Sequence, residues 1–230
     1  MKKSISEKNP LLGVIGGMGT QATAYFYERL HSLLDVKTEQ EYPNVLLYSI
    51  PSTPDRTAFI TGQSLDSPLE SLIDAAKTLE SAGASCIAIP CVTSHFFYTE
   101  LVDSVNIPVL NMLEETAKVL KNNEVRKVRL LATDGTIRGN AFFSTLKKFG
   151  IDVSPLSEEL QSEVMKMIYD IKRGVAVSAC DLDVIIDKAL ENGTENVILG
   201  CTELCILGVE RPNTVNTLDV LAKAALNMIY

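Results

Sequence analysis

The sequence is poor in three features that define large classes of protein. Its 21 lysine and arginine residues face 29 aspartate and glutamate residues, a net charge of −8, which disfavours a surface for nucleic acid or an anionic membrane. Its five cysteines are an odd number without framework spacing, which argues against a disulfide scaffold and favours a reducing compartment. No apolar run approaches the roughly 20 residues of a membrane helix. We therefore predict a cytoplasmic protein without nucleic-acid or membrane partners.

The beginning of the chain imitates a secretory signal without meeting its requirements. Lys2 and Lys3 precede the apolar run LLGVIGGMG. That run is short, contains four glycines and follows a polar segment that includes Glu7. We interpret it as part of the fold.

Strand-like and helix-like segments alternate along the whole chain. Short apolar runs predict strands over residues 11–15, 45–50, 86–89, 108–110, 128–132 and 197–199. Longer amphipathic segments predict helices over 22–35, 69–82, 94–105, 114–121, 140–149, 158–173, 182–192 and 217–229. This alternation predicts an α/β fold with parallel sheets flanked by helices.

The second half of the chain repeats the first. The turn GGMGT after the first strand corresponds to TDGT after the strand over 128–132, at an offset of about 116 positions. The repeat predicts two pseudo-symmetric lobes with the active site in the cleft between them. We assign residues 1–114 and 215–230 to the first lobe and residues 115–214 to the second.

Two cysteines occupy matching positions in this repeat. Cys91 follows the apolar run CIAIP, and Cys201, 110 positions later, follows VILG. Ligands of open parallel sheets bind beyond the carboxyl ends of the strands, so the two thiols should lie on opposite walls of the cleft. Each also precedes a probable helix, whose N-terminus lowers the pKa of a thiol. Cys86 and Cys180 are interpreted as buried packing residues.

Two opposed thiols suit the transfer of a proton from one face of a carbon to the other. One thiolate would remove the α-proton of an amino acid, and the other thiol would protonate the opposite face. Thr93 and Thr202 can donate hydrogen bonds to a nearby carboxylate. Arg56 offers the bidentate guanidinium that suits an acidic side chain, with a surface salt bridge to Asp55 or Asp66 as the alternative.

Several other patterns compete with this interpretation. The segment 17–22 fits G-x-G-x-x-A, but the second strand ends without the acidic residue of a dinucleotide site. Its backbone N–H groups can instead hold a carboxylate, which makes Met18, Gly19 and Thr20 candidate substrate contacts. The spacing from Cys201 to Cys205, with Cys91 and His95 as further donors, is only a weak indication of a metal site. We predict that no metal is bound.

Two further residues have open interpretations. His95 either orients a helix end, donates to a ligand or fills a structural role. Glu203 either pairs with the ammonium group of the substrate or serves as an acidic residue at a helix N-terminus.

Six motifs together resemble one known family. They are GVIGGMGT, TPDRTAFITG, IPCVTSH, LLATDGTI, MIYDIKRG and ILGCTELCIL. In this order and spacing they resemble the aspartate/glutamate racemases that work without pyridoxal phosphate, and most of all the aspartate racemase branch. The resemblance implies Cys91 and Cys201 as the two bases, Arg56 and Lys172 as ligands of the side-chain carboxylate, no cofactor, and a homodimer. The repeat adds Thr133 and Thr136 as candidate substrate contacts.

The chain departs from the family pattern at two positions. The family usually has Asn after the first cysteine, where this chain has Val92, and Pro after GGMG, where it has Thr20. Loss of the Asn removes a polar contact near the substrate. Aspartate racemisation is therefore our main hypothesis, possibly extending to glutamate. A racemase of another amino acid, a maleate isomerase or hydantoin racemase type of enzyme, and a non-catalytic ligand-binding or nucleotide-binding protein are the alternatives.

Overall fold

The computed structural model describes residues 10–191 and 193–230. The segment with Lys2, Lys3 and Glu7 lies outside the described residues. So does residue 192, at which we predicted a helix end.

The described chain alternates strands and helices. The strands are β1 (Leu11–Gly16), β2 (Asn44–Ser49), β3 (Cys86–Ala88), β4 (Lys127–Leu131), β5 (Asp152–Ser154), β6 (Asn196–Leu199) and β7 (Thr214–Asn216). The helices are α1 (Thr20–Ser32), α2 (Arg56–Ile60), α3 (Leu69–Ser81), α4 (Tyr98–Ser104), α5 (Met112–Asn122), α6 (Asp134–Arg138), α7 (Ala141–Lys148), α8 (Glu158–Lys172), α9 (Ala179–Ala189), α10 (Thr202–Cys205) and α11 (Thr217–Ile229). Two short 3₁₀ helices cover Glu39–Glu41 and Thr93–Phe97.

The strands form two parallel sheets with the same internal order. In the first sheet β1 lies between β2 and β3, and in the second β4 lies between β5 and β6. β7 extends the second sheet beside β6, and a single bridge from Val109 to Ile87 holds the same place beside β3. The α/β fold with two parallel sheets flanked by helices is thus confirmed.

The structure corrects some predicted elements. The strand predicted over 108–110 amounts to a single bridge at Val109, held by hydrogen bonds of Ile87 with Pro108 and Leu110. The helix predicted over 94–105 is divided into the 3₁₀ helix Thr93–Phe97 and α4. The sequence analysis missed the short helices α2 and α6 and the short strands β5 and β7, since three to five residues are too few for a clear period.

Local sequence sets many helix ends. Asp55 caps α2 by accepting a hydrogen bond from the Ala58 N–H at 2.8 Å. Gly150 and Gly174 follow the ends of α7 and α8 with positive φ angles of 76° and 78°, a backbone region that favours glycine. Both glycines therefore stop their helices, as predicted.

A continuous hydrophobic core links the two sheets. It extends from Leu12 in β1 through α5 to Val128 and Ile198 in the second sheet. α11 follows β7 but packs against α1 and α5, and Arg29 in α1 binds Asp219 in α11 through two hydrogen bonds of 2.7 and 2.9 Å. A second core lies between the first sheet and helices α3 and α4.

The proposed lobe boundaries fall inside elements of this core. The boundary between residues 114 and 115 lies within α5, and the boundary between 214 and 215 lies within β7, which pairs with β6. The division of the chain by residue range stays a prediction. Among the described helices, none has the length and apolarity that a membrane span requires.

Candidate active site

Cys91 and Cys201 line the same small cavity. Cys91 follows β3 and precedes the 3₁₀ helix, while Cys201 follows β6 and is the residue before α10. Both are 5% exposed. The complete lining consists of Met18, Asp55, Arg56, Thr57, Cys91, Val92, Thr93, Lys172, Cys201, Thr202 and Glu203. The equivalent ends of the two sheets thus supply one thiol each.

The second-lobe wall is polar and densely hydrogen-bonded. The Cys201 thiol donates to Glu203 Oε2 at 2.9 Å, and the Thr202 hydroxyl donates to the same oxygen at 3.3 Å. Glu203 Oε1 is buried and, among the described residues, has no hydrogen-bonding partner. The ammonium of Lys172 lies 4.0 Å from it, an ion pair without a direct hydrogen bond.

These neighbours shift the ionisation of both partners. Burial, followed by the negative charge of Glu203, raises the pKa of the Cys201 thiol well above its ordinary value. Burial works to lower the pKa of Lys172, but the nearby Glu203 and Cys201 outweigh it and leave that pKa raised. The resting wall therefore holds a neutral Cys201 thiol and a charged Lys172.

Next to Cys91 the chain places an apolar side chain where Cys201 has a polar one. Val92, next to Cys91, is 3% exposed and packs into the main core. Within residues 10–191 and 193–230, no hydrogen-bonding partner faces the Cys91 thiol. Its backbone carbonyl accepts a hydrogen bond from His95 Nδ1 at 2.9 Å, while His95 Nε2 accepts one from the Met112 N–H at 3.1 Å. His95 is thus a buried structural residue, and burial lowers its pKa.

The predicted threonines form a cluster of their own. The hydroxyl of Thr93 lies 3.2 Å from that of Thr133 and 2.9 Å from that of Thr136, and the latter two are 3.2 Å apart. Thr93 lines the cavity, but Thr133 and Thr136 do not. The structure therefore places these two residues behind Thr93, where they join the lobes.

Arg56 is buried and makes no ion pair with a carboxylate among the described residues, so the alternative of a salt bridge to Asp55 or Asp66 is wrong. Its guanidinium donates to the carbonyls of Thr53, Pro54 and Met18 at 3.1 to 3.3 Å. The Nε–H group is buried and unpartnered in the same described part of the chain. A fixed guanidinium with an unused donor on the cavity wall can receive an anion.

The glycine-rich turn lies beside the cavity mouth. Gly19 and Thr20 line an open outer cleft that shares Met18, Arg56, Lys172 and Glu203 with the inner cavity. The Gly17 N–H group is already occupied by the Thr23 hydroxyl at 2.9 Å. A Cβ atom on Gly19 would lie 2.9 Å from Glu203 Oε1, so this position requires glycine for Glu203 to keep its place.

The sequence analysis missed three residues of the site. Asp55 and Thr57, which flank Arg56, line the cavity with it, and the ring of Tyr169 lies 5.2 Å below the Lys172 ammonium. The motif PDRT contains Asp55 and Thr57 and could have indicated both. Tyr169 stands one helical turn before Lys172, and this spacing could have indicated it.

The remaining cysteines are separate from the cavity. Burial raises the pKa of Cys86 and of Cys205 to about 11, and the Cys205 thiol contacts the Leu199 carbonyl and the Thr217 hydroxyl. Both are packing residues. Cys180 is exposed, so its assignment to the core is wrong: it lies in the first turn of α9 and is not among the buried residues of that helix. No group of three or more His, Cys, Asp or Glu side chains in the described ranges is placed to hold a metal ion.

Known proteins show the same architecture. The aspartate racemase of Picrophilus torridus superposes with a TM-score of 0.85 at 28% identity, covering 95% of this chain and 93% of that one. An aspartate racemase homologue from Pyrococcus horikoshii gives 0.77 at 26% identity, covering 96% and 99%. The broad specificity amino-acid racemase RacX of Bacillus subtilis is 29% identical over 71% of each chain.

The match to a protein family covers most of the chain. The sequence profile described as Asp/Glu/Hydantoin racemase matches residues 15–225, a span that contains both cavity cysteines and the two cations beside them. RacX and the Picrophilus torridus protein are racemases as well. The chain therefore belongs to the Asp/Glu/Hydantoin racemase family of isomerases.

Proposed function

We propose that this enzyme racemises an acidic amino acid, aspartate first and glutamate second, by two-base proton transfer without pyridoxal phosphate or another cofactor. One observation carries the proposal. Two thiols from equivalent strand ends share a small cavity with two cationic side chains, Arg56 and Lys172. Thiols on opposite walls can reach opposite faces of one carbon, and the cations suit a substrate with two carboxylates.

The cations fix the substrate in this proposal. Arg56 receives a carboxylate on its free Nε–H group, and Lys172 binds the same or the second carboxylate from the opposite lobe. Positive charge next to a carboxylate also stabilises the electron density that builds up when the α-proton leaves. Held from both lobes, the Cα–H bond lies between Cys91 and Cys201.

The remaining predicted contacts have supporting roles. Thr93 and Thr202 line the cavity and can turn their hydroxyls toward the substrate. Met18 lies at the junction of the cavity and the outer cleft, with Gly19 and Thr20 beyond it, so their backbone N–H groups are placed to meet the more exposed carboxylate. Thr133 and Thr136 act through Thr93.

A broad-specificity racemase is the second candidate. Val92 gives the first-lobe wall an apolar side chain beside Cys91, which suits a substrate that is less polar at this point. The relative from Bacillus subtilis is named a broad specificity amino-acid racemase, which supports this candidate. In this alternative the thiols keep their roles and the side-chain selection by Arg56 is weak.

The oligomeric state and the compartment belong to the proposal. We infer a homodimer from the family resemblance and the cytoplasm from the five free cysteines.

Exchange of the α-proton with solvent deuterium tests the function directly. The wild-type protein is incubated in D₂O with L- and D-aspartate, glutamate, alanine and lysine, and with maleate and a hydantoin as separate substrates. Exchange into both enantiomers of aspartate, faster than into alanine, supports the main proposal. Comparable exchange into neutral amino acids favours the broad-specificity enzyme. Absence of exchange from all amino acids rejects both.

A further inference from the structure

The strand β2 forms an open edge of the first sheet in the part of the chain that the structure describes. Its one neighbour there is β1, with which it pairs over six residues. Its side chains are incompletely covered on both faces: Leu47 on one face is 36% exposed, and Tyr48 on the other is 40% exposed. A long edge strand with exposed apolar side chains offers its free backbone groups to another strand.

The corresponding edge of the second sheet is protected against such pairing. β5 has three residues, and the first of them is the charged Asp152. Short length and charged side chains are common means of blocking pairing at a sheet edge. β2 has neither, because it is six residues long and the run 42–54 contains no Asp, Glu, Lys or Arg. The open edge at β2 is therefore a feature of the first lobe and not of the repeated sheet.

The backbone groups of alternate residues of β2 point toward this open edge. The N–H group of Ile50, at the end of β2, donates to the carbonyl of Gly16 in β1 at 3.1 Å. Alternation along the strand then directs the even-numbered residues toward β1. The N–H and C=O groups of Val45, Leu47 and Ser49 therefore face outward.

A second copy of this chain has an edge that fits this one. Two identical strands related by a two-fold axis pair antiparallel, and an axis at Leu47 sets Val45 of one strand opposite Ser49 of the other. Each such pair exchanges two backbone hydrogen bonds, so this register gives about six. Pro43 and Pro51, which lack an N–H group, stand four positions on either side of Leu47 and end the ladder symmetrically. An axis at Val45 or at Ser49 would set a proline opposite Leu47 and lose hydrogen bonds.

We propose that β2 pairs with β2 of a second copy of this chain, in an antiparallel ladder centred on Leu47. In this register Leu47 packs against its own counterpart on one face of the joined sheet, and Tyr48 packs against Leu46 of the partner subunit on the other. Each copy has a net charge of −8, and the uncharged run 42–54 lets two copies meet without like charges along the ladder. The inference gives the homodimer proposed above its contact surface.

The open edge leads directly to the loop that holds Arg56. The carbonyl of Ile50 accepts hydrogen bonds from the Thr53 N–H group at 3.1 Å and from the Thr53 hydroxyl at 2.8 Å. The carbonyls of Thr53 and Pro54 in turn accept from the Arg56 guanidinium at 3.3 and 3.1 Å. Pairing of β2 thus fixes the support of Arg56, a consequence that rests on the proposed function, in which Arg56 selects the acidic substrate.

Charge at the centre of the ladder tests the contact. Because Leu47 faces its own counterpart, Leu47→Lys and Leu47→Glu each place like charges opposite one another across the axis. We expect sedimentation velocity to show a dimer for the wild type and a dissociation constant raised by about 30-fold or more for each variant. An equimolar mixture of the two variants should dimerise again, because Lys then faces Glu. Val184→Lys, at an apolar residue of α9 that is 55% exposed, is the matched control and should dimerise like the wild type.

Hydrogen exchange locates the contact without reference to activity. The backbone amides of Val45, Leu47 and Ser49 should exchange slowly in the dimer and at least about 10-fold faster in each Leu47 variant alone. A monomeric wild type, unchanged dimerisation of Leu47→Lys, or no recovery in the mixture would overturn the proposed ladder. Slow exchange of the three amides in a monomer would show that another segment of the chain covers the edge, and would overturn it as well.

Steady-state kinetics test the link to Arg56. The dissociated Leu47→Lys protein should lose kcat/KM for aspartate by about 5-fold or more relative to alanine, and mixing with Leu47→Glu should restore the ratio. An unchanged ratio in a dissociated variant would overturn the support of Arg56 by the partner. Failure of the wild-type protein to racemise any amino acid would reject the proposed function, and sedimentation and hydrogen exchange would then still decide whether β2 pairs.

Discussion

The two walls of the cavity share one backbone arrangement, a strand end followed by a cysteine. They differ in the side chains that follow each cysteine. Cys91 and Cys201 both follow the third strand of their sheet. Cys201 is followed by Thr202 and Glu203, and both the Cys201 thiol and the Thr202 hydroxyl donate hydrogen bonds to the Glu203 carboxylate. Cys91 is followed by Val92, which packs into the core.

This difference shows that the position of each thiol and its reactivity are set by different parts of the structure. The repeated sheet order places a thiol on each side of the substrate, whatever residues follow it. The hydrogen-bonding partners of each thiol depend on the side chains at its own strand end. A pseudo-symmetric fold can therefore support two half-reactions that are unequal in rate and in their dependence on pH.

Removing either thiol should have the largest effect. Cys91→Ala and Cys201→Ala should each lower racemisation by about 10²- to 10⁴-fold, because one face of the substrate loses its acid or base. Each variant should still wash out the α-proton of one enantiomer, and the two variants should retain opposite enantiomers. Polarimetry and exchange in D₂O measure these effects.

The exposed Cys180 supplies the control for this experiment. Cys180→Ala should behave like the wild type. Racemisation by either cavity variant within a few-fold of the wild-type rate would disprove the two-thiol assignment.

Removing the cations should have the next largest effect. Arg56→Ala should lower kcat/KM for aspartate by roughly 30- to 1,000-fold, because a desolvated carboxylate loses a charge-assisted hydrogen bond worth about 2–4 kcal/mol. Lys172→Ala should also act selectively on aspartate. Steady-state measurement of kcat/KM for aspartate and for alanine shows how strongly the cation of each lobe selects the acidic substrate.

The exposed Arg138 is the matched control for the cations. Arg138→Ala should leave both substrates unchanged. If Arg56→Ala lowers the rates on alanine and aspartate equally, Arg56 supports the fold and does not select the substrate.

Placing a polar side chain next to Cys91 should have a smaller effect on activity. Val92→Asn should raise kcat/KM for aspartate by roughly 5- to 100-fold, because it supplies a partner for a buried polar group whose unpaired state costs about 1–3 kcal/mol. Kinetics on aspartate, glutamate and neutral amino acids measure the change.

Val92→Ala is the control that distinguishes the effect of a polar side chain from the effect of added volume in the cavity. If the alanine variant gains as much as the asparagine variant, added volume explains the result. If Val92→Asn lowers kcat/KM for every substrate or leaves it unchanged, Val92 is a tolerated packing residue and its apolar character does not define the substrate.

The smallest expected effect on activity concerns Cys205, a packing thiol at the end of the short helix α10 that follows Cys201. Its pKa is about 11 in the folded protein, against an ordinary value of 9.0. The stabilisation it gives is complete below pH 9 and is lost as pH rises through 11, a change of about 3 kcal/mol.

Urea unfolding between pH 8 and pH 11 measures this contribution. Cys205→Ala should be less stable at neutral pH and should lose less of its unfolding free energy on going to high pH than the wild type does. A parallel decline in the two proteins would show that the Cys205 thiol does not titrate in this range.

The sequence alone was informative wherever a local pattern was long or repeated. Helix α11 over 217–229 and the stops at Gly150 and Gly174 follow from period, glycine conformation and capping. The matched settings of Cys91 and Cys201 indicated one shared cavity, since strand ends of parallel sheets meet at one edge.

Short elements and long-range partners could not be found in this way. The α2 helix that carries Arg56 has five residues, too few for a period. The exposure of Cys180 depends on which face of α9 meets the sheet, and its neighbours in the sequence do not reveal that face. Thr133 and Thr136 were expected at the substrate because they follow a strand, but they face Thr93 instead.

The sequence by itself determined the α/β alternation, the repeat and the two cysteines, because period and spacing are local properties of the chain. Tertiary structure decided the partners of those cysteines. Only the approach of α8 to α10 places Lys172 4.0 Å from Glu203, and only the close turn at Gly19 leaves room for that carboxylate. Charge interactions depend on distance and burial, which are set when segments far apart in the sequence pack together.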